Sequence, residues 1–465
     1  MALDLSDIQG NPLRGYRLPF ARYVFVNLTD PEAARALMGR ICMHITNAEI
    51  WTEGKPSSTL NMALSRTALR ALALPRATIE GMPDAFLEGM RARADILGDT
   101  GRSAPEHWDE VWRNHVDVMF SINAQTSEAR KERFEWLSSC INAGGGEIVG
   151  HQDAGVLQVN GKFLRTEHFG YSDGISQPIF DRSPQSQSKI TAASSPQHPG
   201  SGKLGADGWE SIATWEFILG HPNESKELPA TPKPPIFTHS GSFMVYRKLR
   251  QNVAAFRAYF EEWDARYPGG AEKLRAKFVG RWSDGTPLAL SPETSNQDIS
   301  SDPMRVNDFI YNDDSEGLKC PLGAHLRRMN PRDSMGFGSD LTRIRRILRR
   351  GLPYGTWADE NVPVDNTDRG VVFMALNASI TRQFEFVAEA MGELRQRLPL
   401  GRGARPCYWK LRSWYIHYSR RYLKRGRTLF CKDIPAFVEC AGGDYFFVPS
   451  ITSIRMMVEG SIDPR

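Results

Sequence analysis

No apolar run in this chain of 465 residues is long enough to span a bilayer as a helix, which excludes a helical membrane anchor. CxxC pairs and zinc-like spacings are also missing. The six cysteines (Cys42, Cys140, Cys320, Cys407, Cys431, Cys440) are scattered, and read as reduced, buried small side chains rather than a disulfide frame or metal centre. A surplus of one charge is nearly absent: 58 basic residues face 54 acidic ones, net +4, too little to attract nucleic acid or an anionic membrane. The opening stretch MALDLSDIQGNPLRGY has no basic n-region, apolar h-region or twin-arginine pair. The expectation is a cytoplasmic protein with no nucleic-acid or membrane partner.

What is present is an ordinary globular balance, 41% hydrophobic and 24% charged, on a chain too long for one ordinary core. Strand-like stretches rich in β-branched and aromatic residues (21–28, 59–65, 116–124) alternate with helix-like ones (31–42, 66–74, 83–99, 126–143). From about 182 to 240 the chain turns to Ser, Pro, Gly and His, with one apolar island, WEFILG, and reads as a connector wrapped on the surface. The pattern then restarts, with strands at 241–250, 370–380 and 442–451 and helices at 251–267 and 381–398. This predicts an α+β protein with two ferredoxin-like domains, 1–235 and 236–465, whose antiparallel sheets pack face to face.

Three loops carry chemistry. HFGYSDGISQP (168–178) places one acid, Asp173, among glycines, either as a solvated turn or as a carboxylate aimed at a ligand. CPLGAHLRRMNPR (320–332) places His325 in irregular backbone after small residues that admit a flat, bulky ligand, with Arg327 and Arg328 able to pair with that ligand's carboxylates. Haem fits this description, with an imidazole on iron and cations on the propionates. In RRGLPYG (349–355), Arg349 precedes a constrained turn; a basic helix end would look the same.

Together, in this order, the three loops resemble those of the dye-decolorising peroxidases. DIQGNPLRGY, LNMALSRTALRALALP, GSFMVYRKLRQNVAAF, GRWSDGTPLAL, GVVFMALNASITRQFEF and GGDYFFVPS extend the likeness over most of the chain, to the longer members of that family. The resemblance implies a barrel-like pair of ferredoxin-like units of the dimeric α+β barrel type, holding one haem b mainly in the C-terminal half. His325 then matches the iron ligand, Asp173 the distal acid and Arg349 the distal arginine. Gly170 and Gly174 let the backbone lie against the porphyrin. Val371 and Phe373 wall the distal pocket, where the family more often has Leu at the first, and Arg281 resembles a propionate partner. The implied reaction uses hydrogen peroxide to oxidise phenols, dyes and other aromatic reductants in one-electron steps through an oxo-ferryl intermediate. An Asp base, titrating near ~4, implies an acid optimum. A homodimer is compatible with the resemblance.

The likeness fails at 399–430, a stretch with no Asp or Glu where family members carry the acid that hydrogen-bonds the iron-ligating histidine. Glu385 and Glu389 are the nearby substitutes. The cations from Arg402 to Arg427 form either a solvated surface or a docking patch for an anionic partner. Two other functions compete: a peroxide-driven oxidation or oxygen transfer on one dedicated substrate, and a non-catalytic haem carrier. The presence of both Asp173 and Arg349 argues against the carrier, which needs neither. Among 11 Trp and 13 Tyr, the cluster Trp414, Tyr415, Tyr418 and Tyr422 reads as packing before it reads as a radical relay.

Overall fold

Six β-branched and aromatic segments become the frame of one sheet. β1 (Phe20–Leu28), β2 (Ser58–Leu64), β3 (Val118–Ala124) and β4 (Gly146–Gly155) come from the first half. After a small hairpin of β5 (Gln158–Val159) and β6 (Lys162–Phe163), the second half supplies β7 (Ser242–Gln251), β8 (Leu348–Arg349), β9 (Pro353–Tyr354) and β10 (Gly370–Asn377). β11 (Ser413–Ile416) pairs with β12 (Leu429–Lys432), and β13 (Val438–Val448) returns to the frame. The computed structural model describes residues 3–178, 212–229, 231–335, 339–357, 367–392, 413–416 and 429–463.

The nine-stranded sheet runs β4-β1-β3-β2-β13-β7-β10-β8, with β9 also on β10 and every pairing antiparallel. Its two halves join where β13 meets β2 through one register pair, Leu64 with Phe447. The sheet also folds over on itself. Tyr23 and Phe25 of β1 meet Tyr246 of β7 at ring-centroid distances of 5.6 and 5.5 Å, and Trp112 stacks on Tyr246 at 5.1 Å. The expected face-to-face packing therefore holds between halves of a continuous sheet, as in a partly closed barrel. All of these rings are buried, and each buried Phe contributes about 1.5–3 kcal/mol.

Helices cover the outer faces. Pro31–Cys42 starts on the Asp30 cap, whose side chain accepts the Ala33 N–H, and turns Ala34, Leu37, Met38 and Ile41 inward. Ser127–Asn142 starts on Thr126 in the same way and packs on β1, β3 and β4. The last helix, Ile451–Glu459, crosses back to lie on Pro31–Cys42. No helix among the described residues is long and apolar enough to cross a membrane.

Several expectations need correction. The helix predicted over 83–99 is broken into Asp84–Glu88 and Ala94–Leu97. Gly89 sits at φ 77°, and the next N–H, of Met90, goes to the Asp444 carboxylate instead of a helical carbonyl. The described part of the connector, 212–229 and 231–240, is not a surface wrap, because Phe217, Ile218, Leu219 and Phe237 are buried in the main core. The rest of it, and most of 393–428, lie outside the described residues. The helix predicted from 381 begins as a π-turn, Ile380–Glu385, before Phe386–Gly392.

Candidate functional site

The loop that carries Asp173 is moored on both sides of the acid and at the acid's own backbone. Thr166 bridges to Ser172, and the Asp173 N–H donates to the Arg165 carbonyl at 3.1 Å. His168 is buried, with Nε2 2.8 Å from the Tyr354 carbonyl oxygen, and desolvation pushes its pKa down to about 4. Phe169 stacks on Phe256 at 4.2 Å, and Tyr171 enters a cluster with Tyr259, Phe260 and Tyr267. Gly170 and Gly174 stand at φ 89° and 72°, a region that glycine enters without penalty. Fixing three side chains in the second half leaves Asp173, 43% accessible, as the free end of the loop.

Arg349 arrives from the opposite side on β8. Leu348 and Arg349 pair with Leu376 and Ala375 of β10. Just beyond, Gly351 lies so close to β10 that a Cβ there would stand 1.7 Å from the Val372 carbonyl oxygen. Arg349 Nη1 lies 3.4 Å from Asp173 Oδ1, although 176 positions separate the two, and Arg349 Nη2 is 3.3 Å from the Ser176 carbonyl oxygen. Gln177 then clamps the Arg349 backbone, accepting its N–H and donating to its carbonyl, both at 3.2 Å. Asp173, Gly174, Gln177 and Arg349 line one cleft of about 1170 Å³, with Phe163 and Met374 among its apolar walls.

His325 opens a five-residue helix, His325–Met329. More than a third of it is accessible, yet protein mass surrounds it. Burial pushes its pKa down to about 4, with the Arg349 charge adding and the Asp173 charge opposing. The imidazole is therefore neutral and free to ligate, within electrostatic range of both distal groups.

The other residues singled out from the sequence lie farther off. Val371 and Phe373 share a strand face with Ala375, the residue opposite Arg349. Phe373 packs on Phe384 at 5.8 Å. Neither they nor Gly170, Arg281 and His325 are among the described residues lining the 1170 Å³ cleft. Arg281 is buried and donates to the carbonyls of Gly285 and Val306 and to Asn307 Oδ1, at 2.8, 3.0 and 2.8 Å. Desolvation, then the Arg332 charge, lowers its pKa to about 9; Arg346 is lowered to about 9 by burial, Arg332 and Arg349. Buried Glu385 is held by Arg93 at 2.6 and 2.7 Å and by the Tyr445 hydroxyl at 2.9 Å.

This donor set fits a haem. An accessible neutral imidazole stands within range of an Asp–Arg pair, and several desolvated arginines build a positive field that two propionates would neutralise. Sequence reasoning missed Gln177, although it lies inside the quoted loop. An amide at that spacing gives no sign that it spans 172 positions to bind a backbone.

Comparison with known proteins agrees. A family model described as the DyP dimeric alpha+beta barrel domain matches residues 7–151. The chain is 26% identical over 480 residues to dye-decolorizing peroxidase msp1 of Mycetinis scorodonius, covering 98% of this chain and 88% of that protein. It is 27% identical over 487 residues to the multifunctional dye peroxidase DyP2 of Amycolatopsis sp., covering 97% and 96%. A solved ancestral D-type dye decolorizing peroxidase superposes with a TM-score of 0.79 at 25% identity, over 98% of this chain and 100% of the other.

Proposed function

We propose that this chain is a dye-decolorising peroxidase acting on aromatic donors, with Asp173 and Arg349 as its distal acid–base pair and His325 as the ligand of a haem b. The observation that carries the proposal is the 3.4 Å contact of Arg349 with Asp173, two side chains from opposite halves of the chain that are both open to one cleft.

A haem would be held by His325, with Arg281 and Arg346 supplying positive charge for its propionates, and would bring the redox-active iron that reacts with hydrogen peroxide. The protein supplies proton handling and charge. Asp173 Oδ1 accepts the Gly174 N–H at 2.6 Å and faces Arg349 Nη1, while Oδ2 has no partner among the described residues. Oδ2 is thus the atom that takes a proton from the incoming peroxide and returns it to the departing oxygen. Arg349, which keeps its charge at any working pH, stabilises the negative charge that develops as the O–O bond lengthens. Its orientation is set beforehand by the Ser176 carbonyl and the Gln177 clamp, so little reorganisation is needed during the step. The Arg349 contact engages one oxygen of Asp173 and leaves the other open to the cleft.

The test is spectroscopic. The purified protein shows a haem Soret band that changes on adding hydrogen peroxide and recovers with a phenolic donor such as 2,6-dimethoxyphenol. His325→Ala loses haem on gel filtration. A variant that keeps haem and full activity would remove His325 from the role given to it.

A further inference from the structure

We propose that Glu167 is a positioning residue for Asp173, a clasp that sets the shape of the 168–174 turn and, with Gln251, holds that turn in both of its own charge states. The proposal rests on the reading of Asp173 as the proton shuttle. Glu167 sits inside the turn it closes. Its Oε2 accepts the Phe169 N–H at 2.9 Å and its Oε1 the Tyr171 N–H at 3.0 Å. Its main chain does the same work: the Glu167 N–H donates to the Tyr171 carbonyl at 3.0 Å, and the Gly170 N–H to the Glu167 carbonyl at 2.9 Å. The next rungs are the Thr166–Ser172 bridge and the Asp173 N–H itself, so an error in this turn passes directly to the acid.

Gln251 ties the clasp to the frame. It is the last residue of β7, its N–H donates to the Arg369 carbonyl at 2.9 Å, and its Nε2 donates to Glu167 Oε2. β7 pairs with β10, and β10 with the strand that carries Arg349. The acid and the arginine therefore hang from one ladder, connected on the acid's side through Glu167.

All three partners of the Glu167 side chain are donors, which suits an ionised carboxylate. Burial nevertheless pushes its pKa up to about 7, the three donors opposing and the Asp173 charge adding. Asp173 and the Tyr171 phenol are the titratable groups that act on it from its own loop. From the helix Gly270–Val279, Arg275 and Glu272 act on Tyr171, and Arg369 acts on neighbouring His168. A protonated Glu167 would set an O–H against N–H donors unless an acceptor were at hand. Gln251 has one: its Oε1 is buried and without a hydrogen-bond partner. Turning the amide over exchanges Nε2 for Oε1, so the same side chain that donates to the carboxylate accepts from the carboxylic acid, with no movement of the backbone. The turn is thus preserved at the acid pH that a carboxylate shuttle favours.

The experiment uses the haem-loaded enzyme and two readouts: the second-order rate constant for hydrogen peroxide by stopped flow, and hydrogen-exchange protection of the Phe169 and Tyr171 amides. Glu167→Ala lowers the rate constant about 10- to 100-fold through misplacement of Asp173, with haem content kept and both amides deprotected. In an Asp173→Asn background the same change has an effect of no more than about 2-fold, because its route has been removed. An unchanged rate constant for Glu167→Ala, or an equal drop in both backgrounds, overturns the proposal. Asp173→Asn with a normal rate constant would instead sink the shuttle, a result independent of the amide protection. Glu167→Gln covers the case in which the alanine variant fails to fold: with one acceptor for two N–H groups, it loses protection at one of the two amides. Retention at both overturns the clasp. Gln251→Met keeps protection at about pH 8 and loses it below about pH 7, where Glu167 carries its proton. Protection unchanged across that range overturns the two-state role of Gln251.

Discussion

At the residue scale, the site depends on a guanidinium that cannot be replaced by charge alone. Arg349 makes two differently directed contacts, to Asp173 and to the Ser176 carbonyl, which a planar fork can satisfy together. Arg349→Leu is expected to slow the reaction with hydrogen peroxide by about 10²- to 10³-fold, the loss typical of removing one fixed charge-stabilising donor. Arg349→Lys should recover only part of it. Stopped-flow traces at matched haem loading check both, and a near-normal rate in the leucine variant would overturn the assignment. Asp173 and His325 stood out as single chemical groups in loops rich in Gly and Pro, whereas Arg349, which a basic helix end would match equally well, was picked out only by the resemblance of the three loops taken together. Residues that act on those three through long-range contacts, Gln177 and Glu167, carry no such mark. Glu385 stood out in the sequence only as an acid in the right region; in the fold it belongs to Arg93 and Tyr445.

At the element scale, two residues of β8 hold the arginine, and a glycine lets that strand reach its neighbour. The Gly-x-Pro spacing after Arg349 reads as a turn, whereas the structure shows that Gly351 is required by contact: any Cβ would enter the Val372 carbonyl. Gly351→Ala is therefore expected to destabilise the protein by about 1–3 kcal/mol, the range for forced overpacking. It should also lower peroxide reactivity, because the β8 ladder to β10 must open. Thermal unfolding together with the rate constant checks this; a variant of wild-type stability would mean that the strands separate without cost. β1, β2, β3 and β7 were legible to within two residues, whereas β10 ends three residues before the expected 380 and β13 runs from 438 to 448 instead of 442 to 451. β4 was not legible, since GEIVGHQDAG is half-buried along most of its length and does not alternate apolar with polar side chains. The break at Gly89 was hidden because its cause, Asp444, lies on a strand near the other end of the chain.

At the scale of the whole molecule, buried titratable groups set the response to acid. His168 and His221 are neutral in the fold, each pushed to about 4 chiefly by desolvation, so between about 6.5 and 4 the unfolded chain binds protons that the native one refuses. Stability from these two is complete above about pH 6.5 and is lost as pH falls through that window. Glu167 acts in the opposite direction. Raised to about 7, it binds a proton in the fold that the unfolded chain releases, which adds stability on acidification between about 7 and 4.5. His221→Gln removes one of the two histidine contributions, so its Tm should fall less than that of the wild type between about pH 6.5 and 4, set against the same opposing carboxylates, Glu167, Asp99, Glu216 and Asp444, all raised by desolvation. A fall as large in the variant as in the wild type would contradict this balance. In the sequence the two halves share only a pattern of strands and helices; that one sheet runs through both was beyond it, because the junction is a single residue pair.

That junction bears on how the protein comes into being. The first half can form its ladder from segments close in sequence, while the β7–β13 pairing, Leu64–Phe447 and Asp173–Arg349 join segments 176 or more positions apart. Contacts of such separation in sequence form late, since chain closure must precede any gain from them. Ellipticity should thus recover before peroxidase turnover when the unfolded chain is returned to native conditions with haem supplied. Simultaneous recovery would place the meeting of the halves early. Recovery of turnover after ellipticity would make the Asp173–Arg349 contact a timer, reporting the moment at which distant stretches of chain come together.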